Sequence, residues 1–155
     1  MNLTTQLKQH LWGSPRTSFV VYPLISLATE TLLQRRIPPV RKRFLPLLVW
    51  GYAEYRLCRI YRASQGAGNS SMALPPDRLV TTGPYAITRN PMYLGHIIYS
   101  FGVALALKSP IATLLAAARC YYFSKQVEKD ERRLSTIFGE EYGDYQRKVK
   151  RWGLM

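Results

Sequence analysis

Hydrophobic positions along this chain fall into four blocks, with polar and mostly basic stretches between them. The first, 17–33, holds Pro23 in its interior and Glu30 near its end, where that carboxylate can reach an interface. The second, 44–61, is apolar through Ala53 and then carries Glu54, Arg56 and Arg59. The third, 94–107, and the fourth, 111–123, are divided only by Lys108-Ser109-Pro110. So short a break predicts an antiparallel helical hairpin. As a helix, 17–33 is about 25 Å long at ~1.5 Å per residue, against ~30 Å of bilayer hydrocarbon. The last two blocks are short enough to be core helices of a soluble protein as well. Four blocks in one small chain, with few polar residues inside them, predict the all-α class. The expected architecture is an integral membrane helical bundle of about four membrane helices, taken as a single domain over 1–155. Ionisable groups at membrane depth face a bundle interior, a cavity or the interface, which makes Glu54 a site candidate.

After the fourth block the pattern changes. Residues 125–152 are highly charged yet periodic. Val127, Asp130, Glu131, Leu134 and Phe138 share one helical face at spacings of three and four. The acidic pair therefore lies on the apolar stripe. Gly139 is a natural stop. A second stripe follows in Tyr142, Tyr145, Val149 and Trp152. Glu140 and Glu141 open it while Lys148, Lys150 and Arg151 close it, which suits the helix dipole. This predicts a C-terminal amphipathic helical tail lying on a membrane surface. An ordered aromatic stripe is unlike a nucleic-acid-binding run, so no nucleic-acid partner is expected.

Charge adds orientation. The formal net charge is +13 and the pI is about 10.1, while a mean hydropathy of -0.14 averages over blocks that differ sharply. The connector carrying Arg35, Arg36, Arg41, Lys42 and Arg43 reads as headgroup contact. With four spans, the N-terminus, residues 77–95 and the tail share one side, and the tail's cations make that side cytoplasmic. The 35–43 connector pulls the other way. Residues 1–16 do not read as a signal peptide. Cys58 and Cys120 lie inside apolar blocks and read as buried thiols. No His/Cys cluster has metal-ligand spacing, so no metal is expected.

The stretch 77–95 carries the most information. It holds two turn signals, Gly83-Pro84 and Asn90-Pro91, together with Tyr85, Tyr93 and the cation Arg89. Proline disfavours helix at the residue before it. Gly83 and Asn90 are thus expected to be non-helical, in a tight double-turned loop before the third block. Such a loop is a natural place for function, or a membrane-interface turn with aromatic anchors.

The chain from Leu79-Val-Thr-Thr-Gly-Pro-Tyr85 and Arg89-Asn-Pro-Met-Tyr-Leu-Gly95 to Asp130-Glu131, Leu134, Phe138-Gly139, Tyr142, Tyr145 and Val149 resembles the isoprenylcysteine carboxyl methyltransferase family. Related membrane phospholipid methyltransferases carry a similar pattern. The resemblance covers roughly 77–152. It implies an integral, multi-pass membrane enzyme of a bacterial inner membrane or the endoplasmic reticulum, with its active site on the cytoplasmic face. It implies methyl transfer from S-adenosylmethionine to a lipidic or membrane-partitioned acceptor: a prenylcysteine carboxylate, a phospholipid amine or a thiol. Arg78, Leu79, Val80, Tyr85, Asn90, Pro91, Met92 and Tyr93 would line the cofactor, and Asp130 and Glu131 would hold it from the tail. Arg89 and Glu131 are the catalytic candidates. Arg89 can pair with the cofactor carboxylate, and the tyrosines can pack on the adenine or face the sulfonium. The family often has His at Asn90, Glu at Asp130, and an Arg near Lys125, Gln126 and Lys129. The alternative is a non-catalytic membrane subunit that keeps this scaffold within a larger complex. A reductase on the same scaffold ranks last, because no nicotinamide fingerprint is present.

Overall fold

The computed structural model describes residues 14–67 and 77–153, and every regular element among them is helical. A π-helical turn, Thr17–Val21, leads into α1, Tyr22–Gln34. Pro23 has no N–H to give the preceding turn, and the chain there takes the wider form. A short 3-10 turn, Lys42–Phe44, leads into α2, Leu45–Ser64. A second 3-10 turn, Gly83–Ala86, precedes α3, Pro91–Leu107. The final element, α4, runs Pro110–Lys148.

The four apolar blocks therefore seed the four helices, with shifted ends. The largest difference is at the tail. The fourth block and the first half of the amphipathic segment form one helix. Neither Gly nor Pro stands between Ile111 and Phe138 to stop it. Inside α4 the backbone leaves helical values only at Gly139, with φ 52° and ψ -122°. Among the described residues, no helix is long and apolar enough to cross a membrane. The most apolar, α3, has 17 residues, and longer α2 and α4 carry charges.

Contacts gather into two compact units: up to Tyr52 with Gly95–Ser124, and Ala53–Leu94 with the chain from Lys125 onward. The first has an apolar core of Tyr22, Val103, Leu107 and Ala116, flanked by Leu27, Leu48, Tyr99 and Leu115. The expected hairpin turns at Lys108, whose φ is 51°, and Ser109 caps α4 by accepting the Ala112 N–H at 2.9 Å. The Tyr22 hydroxyl is shared between the carbonyls of Ser100 and Ala112, at 2.8 and 2.9 Å. Glu30, expected at an interface, is instead buried, accepting bonds from Ser109 and Gln34. Arg119 is buried as well. It donates to the Ser18 and Ser100 hydroxyls, and its guanidinium carbon lies 5.5 and 5.2 Å from the Tyr22 and Phe123 ring centres. Much apolar side chain is exposed on this unit: Leu24, Ile25, Leu32 and Leu33 of α1, and Val49 and Trp50 of α2.

Glycine sets how closely α2 and α3 approach in this unit, most tightly at Gly51. A Cβ on Gly51 would sit 2.6 Å from the Gly95 carbonyl oxygen and from the Tyr99 nitrogen, both backbone atoms that cannot swing aside. Gly51→Ala is therefore expected to destabilise the protein by about 1–3 kcal/mol, the range for overpacking. Gly143→Ala, whose new methyl meets nothing nearer than 3.7 Å, should be neutral or stabilising by up to about 1 kcal/mol. Unfolding of the two variants in detergent, beside the wild type, checks this.

Candidate functional site

The second unit is built on the loop ahead of α3. Gly83 takes φ 59°, and a side chain there would drive into the Tyr61 ring at 2.5 Å. Tyr61 also shares a 2.7 Å hydrogen bond with the Thr82 hydroxyl. Gly83 and Pro84 then enter the 3-10 turn Gly83–Ala86 rather than an irregular bend, because the Tyr85 N–H finds the Thr82 carbonyl. Asn90 is non-helical, as the following proline requires, and its carbonyl accepts the Leu94 N–H to open α3. Val80 and Tyr85 are buried in a small cluster with Ala67, against Tyr61.

The C-terminal segment is strapped to this loop. The Tyr145 hydroxyl donates to the Tyr85 carbonyl at 2.6 Å. The Arg89 N–H donates to the Lys150 carbonyl at 3.1 Å. Thr88 and Asn90 both donate to the Arg151 carbonyl, at 2.9 and 3.3 Å. Gly153, at φ 75°, lies so near Thr88 that a Cβ would stand 2.8 Å from that side chain. These contacts are possible because Gly139 lets the chain reverse, bringing 145–153 back alongside 126–136.

Glu131 sits where the pieces meet. Its Oε1 accepts from Arg89 Nε and Nη2 at 3.2 and 2.9 Å. Arg151 donates from the other side, Nη2 to Oε2 at 2.7 Å and Nε to Oε2 at 3.2 Å. Arg89 Nη1 goes to the Gln146 carbonyl at 3.1 Å. The Arg89 and Glu131 side chains are 11% and 7% exposed, that of Arg151 38%. The bond to Glu131 holds the Arg151 proton more tightly than usual. Beside this cluster, Tyr93 donates to Asp130 at 2.6 Å and Gln126 donates weakly at 3.4 Å. Burial raises the Asp130 pKa above the usual carboxylate range, and those two bonds partly offset it. Burial, with the Glu131 charge beside it, pushes the Tyr142 hydroxyl up to about 12. Tyr85 is raised further still by burial, and its hydroxyl has no partner among the described residues. An open cleft of about 440 Å³ is lined by Glu128, Glu131, Arg132, Ser135, Thr136, Gln146 and Arg151.

Of the expected site residues, Arg89, Asn90 and Glu131 share this network through Arg151, Tyr93 and Asp130 pair beside it, and the Tyr85 carbonyl accepts from Tyr145. Pro91 is buried, Leu79 and Met92 are half-buried, and Arg78 is exposed. Only Glu131 of the set lines the cleft. Glu54 is half-buried in α2. His96 belongs to the first unit, stacked between Phe19 and Phe123 at 4.8 and 5.2 Å. Cys58 and Cys120 are free thiols. Sequence reasoning missed Arg151 and Gln146. Arg151 was absorbed into a basic helix end, and its one signal is the Trp152-Gly153 that follows, a turn-forming pair rather than more helix.

Residues 66–141 match the family model described as phospholipid methyltransferase. The protein-S-isoprenylcysteine O-methyltransferase of Mus musculus is 39% identical over 72 residues, covering 46% of this chain and 25% of that protein. The Schizosaccharomyces pombe enzyme of the same name is 36% identical over 72 residues, covering 46% of this chain and 30% of that protein. The chain thus matches about a quarter to a third of the length of these curated relatives. A solved eukaryotic intramembrane Ras methyltransferase, an isoprenylcysteine carboxyl methyltransferase, superposes with TM-score 0.65 at 23% identity, over 98% of this chain and 53% of that one. That likeness establishes the fold.

Two outcomes follow from the network. Arg89→Ala leaves Glu131 buried with one cation fewer and is expected to cost about 3 kcal/mol of stability, the lower end for breaking a buried pair. Arg147→Ala, in the exposed pair with Asp144, should cost less than about 1 kcal/mol. Unfolding in detergent separates the two. Asp130 has a raised folded pKa, so the native state holds its proton where the unfolded chain has lost it. Its contribution to stability is therefore present below the ordinary aspartate value of 3.8 and is lost as pH rises through the raised value. Asp130→Asn should flatten that part of the stability-pH profile.

Proposed function

We propose that the chain, whose residues 66–141 match the phospholipid methyltransferase family model and which is similar to protein-S-isoprenylcysteine O-methyltransferases, transfers a methyl group from S-adenosylmethionine to a lipidic or membrane-partitioned acceptor. The observation that carries this reading is the joining of loop and tail: Arg89 and Arg151 meet on Glu131 at the wall of a cleft. Its volume is within the ~300–1,000 Å³ typical of small-molecule sites. The donor set suits the cofactor. It offers guanidiniums for a carboxylate, carboxylates for an ammonium or a ribose diol, and a buried tyrosine hydroxyl lacking a partner. Arg78, Leu79, Val80, Tyr85, Asn90, Pro91, Met92, Tyr93, Asp130 and Glu131 are the residues proposed to hold it. When bound, the cofactor supplies a methyl group on a sulfonium.

What the chain contributes is positioning and exclusion of water. Tyr93 fixes the Asp130 carboxylate by a 2.6 Å bond. Both Glu131 oxygens already accept bonds from guanidiniums, which suits a group that holds position rather than one that takes a proton. This favours acceptors that arrive as anions, a thiolate or a carboxylate, over an amine that must first be deprotonated. The exposed Leu, Ile and Val side chains of α1 and α2 are apolar surface of the kind that meets lipid or a partner. The multi-pass placement in an inner membrane or the endoplasmic reticulum, with the loop and tail at the cytoplasmic face, is the part of the proposal that rests on the family resemblance and the tail's cations.

A second reading, a non-catalytic membrane subunit, draws on one fact: Arg89 and Glu131 satisfy one another. Titration of detergent-purified protein with S-adenosylhomocysteine decides between them. Saturable binding by the wild type, weakened at least about tenfold in Glu131→Ala, is the expected result. A well-folded wild type that binds nothing sinks the enzyme reading and favours the subunit.

A further inference from the structure

The sequence makes Arg89 the natural partner of a ligand carboxylate. The structure spends Arg89 elsewhere: Nε and Nη2 on Glu131, Nη1 on the Gln146 carbonyl, with the side chain 11% exposed. We propose that Arg151 is the residue that takes the carboxylate, and that the cleft it lines holds the amino-acid end of the cofactor. This rests on the methyltransferase reading and names the part of the cofactor and the residues that meet it.

Four observations converge. Arg151 lines the cleft, and Arg89 does not. Its Nε and Nη2 are pinned by Glu131, which fixes the plane of the guanidinium. Its Nη1 has no partner among the described residues. Its backbone is held by Thr88 and Asn90 through the Arg151 carbonyl, so the side chain starts from a fixed root. A planar, pre-oriented guanidinium with one free edge suits a carboxylate.

The rest of the cleft matches the other charge of an amino-acid zwitterion. Glu128 lines it, paired with the exposed Lys125 at 3.1 Å. Ser135 and Thr136 donate their hydroxyl hydrogens to the carbonyls of Glu131 and Arg132, which leaves their oxygens as acceptors. The lining thus offers Arg151 and Arg132 to a carboxylate, and Glu128 with two hydroxyl oxygens to an ammonium. A plain anion would use only the first half of this set.

The test compares two ligands. S-adenosylhomocysteine carries the amino-acid end; 5′-methylthioadenosine has the same thioether and nucleoside without it. Calorimetric titration of the full chain in detergent is expected to show tighter binding of the first by the wild type. Arg151→Ala should weaken S-adenosylhomocysteine about 10–100-fold, the worth of a charge-assisted hydrogen bond, and leave 5′-methylthioadenosine unchanged. Arg151→Lys should recover part of the loss. Glu128→Gln leaves the Glu131 network intact, so it remains informative if Arg151→Ala does not fold. It should also weaken only the first ligand, by several-fold. Equal loss of both ligands in Arg151→Ala would mean a purely structural role and overturns the inference, as does no change for S-adenosylhomocysteine in either variant. A wild type that binds neither ligand instead overturns the methyltransferase reading itself.

Discussion

Glu131 is a buried carboxylate held between two guanidiniums that come from distant parts of the chain. Arg89 precedes it by 42 residues and Arg151 follows by 20. Burying a carboxylate costs several kcal/mol unless its charge and lone pairs are answered. Here they are, and the answer requires the loop and the C-terminal segment to be in place together. Much else in the second unit serves that condition. Gly139 reverses the chain, and Tyr145, Thr88 and Asn90 tie the returning segment to the loop. Gly153 allows close passage over Thr88. Each is a small local choice that makes sense only if residues 89, 131 and 151 must meet.

The first unit solves a different problem. It exposes many apolar side chains, while beside its apolar core it buries serines, Tyr22, Glu30 and Arg119. Buried polar groups must find partners inside the protein, and the hydroxyls of Ser18, Ser100, Ser109 and Tyr22 and the charges of Glu30 and Arg119 do. Arg119 uses hydroxyls and aromatic faces, with no carboxylate among its described partners. Glu30 is tied to Ser109 at the turn between α3 and α4.

Much of this was legible in the residues. The alternation of apolar blocks and basic connectors marked where helices lie among the described residues, though none of them is long and apolar enough to cross a membrane. The i, i+3, i+4 spacing from Val127 to Phe138 placed Glu131 on the buried side of its helix. The prolines at 84 and 91 marked the loop. Boundaries were less legible. Nothing between Ile111 and Phe138 breaks a helix, so one helix continues where the change in composition suggested a new element. Glu30 looked like an interface residue because composition shows a charge near a block end, but not the serine that will meet it.

The sequence by itself determined the helical class, the loop and the acidic pair, because each is written in local spacing and turn chemistry. Only the tertiary structure decided how the cations are shared. Arg89 looked free to meet a ligand and is bound to Glu131. Arg151 looked like the basic end of a helix and instead lines the cleft beside that carboxylate. The physical reason is that an ion pair is a property of distance in space. Periodicity reports which face of a helix a residue occupies, but not which remote residue a φ of 52° at Gly139 will carry back to it.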